Sequence, residues 1–335
     1  MTKIVLAVDV GYGNVKAVWD PESNTSSEII FRSIANPVHQ GTDINRSKGT
    51  VPVTVQGHTY MVGPDAYLSG GTGIPDTNFT ERNEYLAFLR GALHYMFCKT
   101  VVYHKIDTLV VGLPVGNFAS HRARLRDICI GEHIVPTPPA FIEALGPVVK
   151  IMVDKVMVLP QPLGALSIFA RKCARANKEV GQALIIDPGY KTLDWVFSLG
   201  MEVDMGRSGS FAGSVSALLA DISNSVGKKL GVGFIDLIEV ESALTTGVIF
   251  ADGRDHDFTP FKDIVKDAAA QVIDKFFSAL RIERRFTSIV LSGGGGKYYR
   301  DAIAKKFPGH IVEYETDAVM DNARGFYLLA SRQSS

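Results

Sequence analysis

Short apolar runs, each ended by a polar residue, glycine or proline, recur along this chain and predict buried β-strands. The clearest runs span residues 4–8, 108–111, 156–159, 183–186 and 288–291. Longer stretches between them carry apolar residues at helical spacing and predict helices over 83–99, 119–130, 163–178, 211–230, 233–247, 261–285 and 318–331. Strands that alternate with helices in this way predict an α/β fold.

The chain length of 335 residues exceeds the size at which one hydrophobic core usually keeps growing, so we expect two domains. We place the first at residues 1–162 together with 318–335, and the second at 163–317. The helix over 163–178 is the predicted crossover between them. Ser208 or Ser210 is the predicted N-cap of the helix over 211–230.

A glycine-rich turn follows the first strand. Its sequence is Asp9-Val10-Gly11-Tyr12-Gly13-Asn14-Val15-Lys16, and the apolar run 17–19 after it predicts a hairpin. The two glycines leave backbone N–H groups open to close approach, as an anion cradle requires. Lys16 supplies a positive charge for phosphate oxygens, and Asp9 suits a hydrated magnesium ion. Similar turns also occur in proteins that bind nothing, so this turn alone does not establish a site.

The same pattern recurs in the second half of the chain. The strand at 183–186 leads into Asp187-Pro188-Gly189-Tyr190-Lys191-Thr192-Leu193-Asp194, and the run 195–197 supplies the return strand. An internal repeat predicts two related halves, and two such turns can hold one polyphosphate between them. A third segment, Ser292-Gly293-Gly294-Gly295-Gly296, separates the strand at 288–291 from a helix. Consecutive glycines are costly in conformational entropy, and they suit a backbone that passes close to a nucleoside.

Composition and the remaining motifs exclude several functions. Lysines plus arginines balance aspartates plus glutamates at 35 each, so charge gives no case for direct nucleic-acid binding and little repulsion opposes self-association. No Walker loop or dinucleotide fingerprint is complete, and no apolar run is long enough for a membrane span. Cys98, Cys129 and Cys173 are too dispersed for a disulfide framework or zinc site, and we expect buried thiols in a reducing cytoplasm.

Taken in order, these motifs resemble those of the actin, Hsp70 and sugar-kinase ATPase superfamily. The order is Asp-x-Gly-x-Gly-x-x-Lys, a strand–Pro-Gln-Pro–helix crossover, Asp-x-Gly-x-x-Thr-x-Asp, and a strand that ends in Ser-Gly-Gly-Gly-Gly. Within the superfamily the chain most resembles the plasmid-segregation actins of the ParM/StbA group, through segments 9–16, 112–114, 187–195 and 322–325. The resemblance implies an actin-like ATPase fold of the α/β class, with two related domains around a nucleotide cleft.

The resemblance also implies which residues bind ATP, or GTP as the alternative, together with Mg²⁺. The implied phosphate-binding residues are Gly11, Tyr12, Gly13, Asn14 and Lys16 in the first turn, and Gly189, Tyr190, Lys191 and Thr192 in the second. The adenosine would lie beside Gly293, Gly294, Gly295 and Gly296. The magnesium would be held by Asp9 and Asp187, largely through its waters.

Gln161, at the predicted crossover, matches the position that orients the attacking water in actins, where the best-known ParM-like proteins carry a carboxylate. A glutamine amide can position a water but cannot usefully accept its proton at pH 7. Either Asp187 then acts as general base, or the water loses its proton late to phosphate. Two further roles stay open. Lys191 contacts phosphate or points to solvent, and Asp194 ties the hairpin or joins the outer shell of the metal.

The implied function is a cytoplasmic, filament-forming ATPase that segregates plasmid DNA. Its partners would be further copies of itself and a DNA-binding adaptor protein, with no direct contact to nucleic acid or membrane. The alternatives are a cytoskeletal actin homologue of another role and a small-molecule kinase of the same superfamily. A kinase would need a further carboxylate as base, and Asp65 and Asp76 are examples of carboxylates that the motifs leave unplaced.

Overall fold

The computed structural model describes residues 3–20, 27–38, 49–69, 78–99, 104–280 and 286–333. The chain divides into two compact units, of which unit 1 is Met1–Lys178 with Met320–Ser335, and unit 2 is Glu179–Val319. The boundary that we placed after residue 162 therefore falls at Lys178. The physical reason is that the helix following Gln161 packs on the C-terminal helix, which also belongs to unit 1.

Unit 1 is built from sheets covered by helices. Its strands are β1 (Val5–Val10), β2 (Asn14–Val18), β3 (Glu28–Arg32), β4 (Asn36–Pro37), β5 (Val51–Val55), β6 (His58–Val62), β7 (Lys105–Ile106), β8 (Thr108–Leu113), β9 (Gly131–Pro136), β10 (Val148–Val153) and β11 (Val156–Pro160). Its helices that precede unit 2 are α1 (Asn83–Lys99), α2 (Val115–Cys129), α3 (Ile142–Leu145) and α4 (Pro162–Arg175).

Unit 2 has the same kinds of element, and the chain then returns to unit 1. Its strands are β12 (Gln182–Pro188), β13 (Thr192–Leu199), β14 (Glu202–Ala212), β15 (Val248–Ala251), β16 (Arg254–Asp257), β17 (Ser288–Leu291) and β18 (Val312–Tyr314). Its helices are α5 (Val215–Leu230), α6 (Leu237–Thr246), α7 (Lys262–Ala279) and α8 (Gly296–Lys306), and the return helix in unit 1 is α9 (Asp321–Gln333).

Three predicted helices start later than expected, since those over 211–230, 233–247 and 318–331 begin at Val215, Leu237 and Asp321, and the helix over 119–130 starts earlier, at Val115. The helix that we placed over 211–230 begins at Val215, because the chain up to Ala212 pairs with β13 as the long strand β14. The N-cap position is therefore Ser214, and the predicted caps Ser208 and Ser210 are wrong. Within the described ranges, none of the helices is long and apolar enough to cross a membrane.

The largest sheets of the two units share one topology. Their strand orders are β3-β2-β1-β8-β11 in unit 1 and β14-β13-β12-β17-β18 in unit 2. In each, a central strand pairs antiparallel with its hairpin partner on one side and parallel with a later strand on the other. The parallel registers also correspond, because Val5 pairs with Thr108 and Ala183 pairs with Ser288. The two units are therefore related, as the repeated turn predicts.

Each unit has its own hydrophobic core. In unit 1 the core lies between the large sheet and α1, whose Phe88 and Phe97 are fully buried. In unit 2 it lies between β12, β13 and the helices α5 and α7, and it includes Phe276. β1 is buried along its whole length and β12 from Ala183 onward, as strands covered on both faces are. Asp9 and Asp187 are therefore carried near the ends of strands that packing holds rigidly.

The C-terminal helix α9 closes unit 1 through close contact with α4. A Cβ on Gly325 would overlap the carbonyl oxygen of Gly164, so neither helix could approach as closely with a side chain at this crossing. α9 also packs on the sheet through Phe326, which is fully buried beside Val5, Ala7 and Val110. Arg324 adds a bidentate ion pair to Glu28 on β3, with N–O distances of 2.9 and 2.8 Å.

Candidate functional site

The first predicted turn joins β1 to β2, and Asp9 and Lys16 face each other across it. They are directly paired in the antiparallel register, so their side chains lie on the same face of the sheet. Lys16 Nζ donates a hydrogen bond to Asp9 Oδ2 at 2.8 Å. The Asp9 side chain is fully buried and that of Lys16 is 12% exposed, so the pair is largely removed from solvent screening.

Gln161 completes this cluster, although it is 152 residues from Asp9 in the sequence. Its Nε2 donates a 2.7 Å hydrogen bond to the second carboxylate oxygen, Asp9 Oδ1. Gln161 lies between β11 and α4, and its backbone N–H donates to Leu113 O at the end of the neighbouring strand. A Cβ on Gly112 would lie 3.0 Å from Gln161 Cγ, so the glycine makes room for this side chain. Both oxygens of Asp9 therefore already accept a hydrogen bond from protein.

Hydrogen bonds from within the turn and from the end of β3 hold the backbone of the first turn. Gly11 N–H donates to Asn14 O at 3.0 Å, and Ser33 N–H donates to Gly13 O at 3.1 Å. The Ser33 hydroxyl donates to Gly11 O at 2.5 Å. Ser33 is buried and was not predicted, because only its position just after β3 connects it to the turn. The ammonium of Lys16 lies beside the turn, 3.4 Å from where a Cβ on Gly11 would stand.

The second predicted turn joins β12 to β13 in unit 2 and has the equivalent internal hydrogen bond. Gly189 N–H donates to Thr192 O at 2.8 Å. Across the strands, Asp187 is paired with Asp194, where the first turn has an aspartate and a lysine. The Thr192 hydroxyl donates to Asp194 Oδ2 at 2.7 Å. This bond favours the role of Asp194 as a tie within the hairpin.

Helix α5 begins against the second turn and fixes its backbone. Ser216 N–H donates to Tyr190 O at 2.7 Å, and Gly213 N–H donates to Lys191 O at 2.9 Å. Every residue of both turns is partly exposed, although the strands that carry the turns are buried. In the first turn, the ring of Tyr12 packs on Phe79 with a centroid distance of 5.0 Å. Both turns can therefore be reached by a ligand.

The four-glycine segment lies against the second turn. Gly293 has a φ of +69°, and a Cβ there would overlap Oδ1 of Asp187. Gly295 N–H donates to Pro188 O at 3.1 Å, and Gly296 is the first residue of α8. Gly294 is exposed. Unit 2 thus brings together three of its predicted elements, namely the aspartate, the turn and the glycine segment.

We expect Gly293→Ala to lower the free energy of unfolding by about 1–3 kcal/mol. The added methyl would meet the Asp187 carboxylate, in a backbone conformation that residues with a side chain rarely adopt. Gly294→Ala is the matched control, because its Cβ would meet only Val319 Cγ2 at 3.5 Å, an ordinary contact. Thermal unfolding followed by circular dichroism compares the two variants, and equal melting temperatures would contradict the packing described here.

The carboxylates suit a hydrated metal ion better than a fully protein-coordinated one. Among the described residues, no group of three or more His, Cys, Asp or Glu side chains could hold a metal ion. Mg²⁺ usually keeps several waters and binds one or two carboxylates together with substrate phosphates. A carboxylate offers about four lone-pair sites, so the two hydrogen bonds to Asp9 leave acceptor capacity. Asp9 could therefore still accept hydrogen bonds from the waters of a hydrated metal ion.

A groove of about 1150 Å³ opens in unit 2 along α7 and α8. Its walls include Leu244, Phe258 and Val265, and Lys297 and Tyr298 in the first turn of α8 also line it. These two residues directly follow the four-glycine segment. The groove is large enough for a small organic molecule.

The expectations for the cysteines and for the two unplaced carboxylates have mixed outcomes. Cys129 and Cys173 are buried as expected, whereas Cys98 is exposed, so the expectation of a buried thiol is wrong there. Cys98 lies near the end of α1, where the helix emerges from the core. Of the two carboxylates considered for a kinase, Asp65 accepts a hydrogen bond from Gly49 N–H at 3.0 Å, and Asp76 lies outside the described residues.

Two family models match this sequence. The model described as the N-terminal domain of actin-like proteins matches residues 7–164. The model described as the C-terminal part of the MreB-like archaeal actin homologue matches residues 185–305. The comparison with curated proteins gives no match.

Solved structures of actin homologues have the same fold. The archaeal actin homologue Ta0583 has 22% identity and a TM-score of 0.78, with 98% of this chain and 99% of that chain covered. A 15-stranded ParM filament from Clostridium botulinum has 20% identity and a TM-score of 0.79, with 99% and 100% covered. Ta0583 in complex with ADP has 21% identity and a TM-score of 0.72, with 98% and 99% covered. The two family models of actin-like proteins together span most of the sequence, and in agreement with them the chain has an actin-like fold, shared with ParM and with the archaeal actin homologue.

Proposed function

We propose that this chain is an actin-like ATPase that binds ATP with Mg²⁺ and assembles into filaments. The observation that carries the proposal is the Asp-x-Gly turn that occurs at the same position in two sheets of the same topology. A repeated turn with open glycines and a neighbouring carboxylate is suited to phosphate and metal. We assign unit 1 as actin-like domain I and unit 2 as actin-like domain II.

In this proposal each unit contributes one turn to the same nucleotide. Residues 11–14 in unit 1 and residues 189–192 in unit 2 would bind the phosphates through their backbone N–H groups. Lys16 would add a positive charge, since its ammonium lies beside Gly11. The adenosine would lie beside residues 293–296, and the groove at Tyr298 offers space for its base. GTP, the alternative nucleotide, would make the same phosphate contacts.

The hydrogen bonds of Gln161 support a role in orienting the attacking water. Its amide nitrogen must face Asp9, because a carboxylate oxygen can only accept. The amide oxygen, Oε1, is then the atom that can accept a hydrogen bond from a water and direct the water's lone pair at phosphorus. Bound Mg²⁺, held by Asp9 and Asp187, would neutralise charge on the phosphates. Asp187 would accept the proton, or the water would lose it late to phosphate.

Exposed apolar side chains in unit 2 support self-association. Leu199 is 60% exposed and pairs with Gln182 at the start of β12, so it lies at the end of the sheet away from the Asp187 turn. Ile311, which is 80% exposed, directly precedes β18 at the same end, because β18 runs parallel to β17 and β12. An open filament needs a contact between two different surfaces of one chain, and a net charge of zero adds little repulsion.

Plasmid segregation is the cellular role that we propose for such filaments. The chain would act in the cytoplasm and would contact DNA through a DNA-binding adaptor. Its balanced charge gives no electrostatic attraction to nucleic acid. A cytoskeletal role other than segregation would use the same chemistry and the same assembly.

Light scattering with simultaneous measurement of phosphate release tests this function. We expect scattering to rise when ATP and Mg²⁺ are added to the purified chain, and to decay as ATP is consumed. ADP with Mg²⁺, and ATP with a chelator, are the controls and should give no lasting rise. The proposal fails if scattering stays flat at all protein concentrations, and phosphorylation of a sugar or acid under those conditions would favour the kinase alternative.

A further inference from the structure

Helix α1 presents a cysteine and a histidine to a groove that the proposed function does not use. His94 and Cys98 are four residues apart and so lie on one face of the helix. Cys98 Sγ is 3.5 Å from His94 Nε2. Cys98 is exposed, whereas His94 is only 6% exposed. A thiol within hydrogen-bond reach of an imidazole is the usual arrangement for an activated nucleophile.

The tautomer of His94 is fixed by its second hydrogen bond. Its Nδ1 lies 2.7 Å from Pro136 O, and a carbonyl oxygen can only accept, so Nδ1 carries the proton. The neutral ring therefore directs the lone pair of Nε2 at the Cys98 thiol. Burial lowers the pKa of His94, and the bond to Pro136 opposes that shift, so the ring is neutral at pH 7. Tyr95 packs edge-on against the ring at 5.3 Å.

The groove beside this pair has a volume of about 710 Å³ and uncharged walls. It lies between α1, the strands β5, β9 and β10, and helix α3. Its apolar walls include Ile134, Ile142 and Val148, all of them exposed. None of the described residues that line it is Asp, Glu, Lys or Arg. The volume and the composition suit a small uncharged organic molecule.

Thr137 supplies an independent indication of a ligand. It lines the groove next to Pro136 and is 4% exposed, and its hydroxyl is buried with no hydrogen-bond partner among the residues that the structure describes. A buried hydroxyl that lacks a partner is unfavourable by about 1–3 kcal/mol. A molecule with a hydrogen-bond acceptor, such as a carbonyl oxygen, would satisfy it.

We propose that this groove binds small, uncharged α,β-unsaturated carbonyl compounds and that Cys98 is covalently modified by them. Cys98 Sγ forms a bond to the β-carbon while the carbon–carbon π bond breaks. The thiol proton passes to His94 Nε2 and then to the α-carbon, so no group leaves and no oxidant is consumed. Thr137 donates a hydrogen bond to the carbonyl oxygen, on which negative charge develops during the addition.

Labelling of the full chain with maleimides tests the role of the histidine and of the groove. N-ethylmaleimide and N-cyclohexylmaleimide are the probes, and mass spectrometry gives the rate at each cysteine at pH 7. We expect Cys98 in the wild type to react about tenfold faster than in His94→Gln. The cyclohexyl reagent should react faster than the ethyl reagent with Cys98, but not with the cysteine of a short peptide. Equal rates for the two reagents, or no effect of His94→Gln, would overturn the proposal.

Thr137→Val provides a second variant of nearly the same shape, in case His94→Gln fails to fold. We expect it to slow the maleimide reaction several-fold, because the carbonyl oxygen loses its donor. Its reaction with 4,4′-dithiodipyridine, a thiol reagent without a carbonyl group, should match that of the wild type. If both reactions slow equally, Thr137 acts on the packing of Cys98 and the carbonyl role is wrong.

Discussion

Gln161→Ala is expected to slow ATP hydrolysis about 100-fold, within the range for loss of one positioned group in a transition state. ATP affinity should change by no more than about twofold, because the amide contacts Asp9 and in the proposed mechanism would face the attacking water rather than the nucleotide. The variant removes the 2.7 Å hydrogen bond to Asp9 Oδ1 together with the acceptor for the water. Phosphate release measures the hydrolysis rate, and titration with a fluorescent ATP analogue measures the affinity.

Ser167→Ala is the matched control for this variant. Ser167 is also buried on α4, and its hydroxyl donates to Leu163 O within the helix at 2.9 Å rather than to Asp9. We expect its hydrolysis rate to match that of the wild type. Unchanged phosphate release by Gln161→Ala itself would remove this glutamine from the mechanism.

Lys16→Met should lower the free energy of unfolding of unit 1 by about 3–5 kcal/mol, because it removes one partner of a buried ion pair. Asp9 is fully buried and would keep only the hydrogen bond from Gln161. The affinity for ATP should fall as well, since the positive charge beside Gly11 is lost. Denaturant unfolding without nucleotide measures the stability, and nucleotide titration measures the affinity.

A double-mutant cycle separates the loss of the pair from the loss of either side chain. Asp9→Asn combined with Lys16→Met leaves no unpaired buried charge, so we expect it to be more stable than Lys16→Met alone. If the two destabilisations simply add, the contact seen at 2.8 Å contributes nothing to stability.

Local sequence patterns were sufficient to predict the two glycine turns but not to predict strand β14. The hairpins around Gly11 and Gly189 follow from apolar runs and glycine spacing that need no distant contact. Residues 206–210 have the composition of a loop, yet they belong to β14. A Cβ on Gly209 would lie 2.5 Å from Cζ2 of Trp195 on the neighbouring strand. The glycine is required there by an aromatic ring in β13 rather than by a turn, and only the pairing of the two strands reveals this.

The site shows the same division between local and long-range information. The register that pairs Asp9 with Lys16 follows from a hairpin of known length. The bond between Asp9 and Gln161 does not, because no local pattern connects residues so far apart, and only the resemblance placed both at one site. Ser33 carried no signal at all, since a serine after a strand is common. Local sequence patterns therefore do not predict the side chains that reach the site from distant strands.

The discontinuity of unit 1 has a consequence for the order in which the chain folds during synthesis. All of unit 2 leaves the ribosome before α9 does, so its sheet can be completed while β1 and α4 still lack the helix that covers them. Until α9 arrives, the close contact between Gly164 and Gly325 and the ion pair between Glu28 and Arg324 are missing. A nascent chain would thus hold a finished second unit beside an open first one, and that open surface is where a chaperone would be needed.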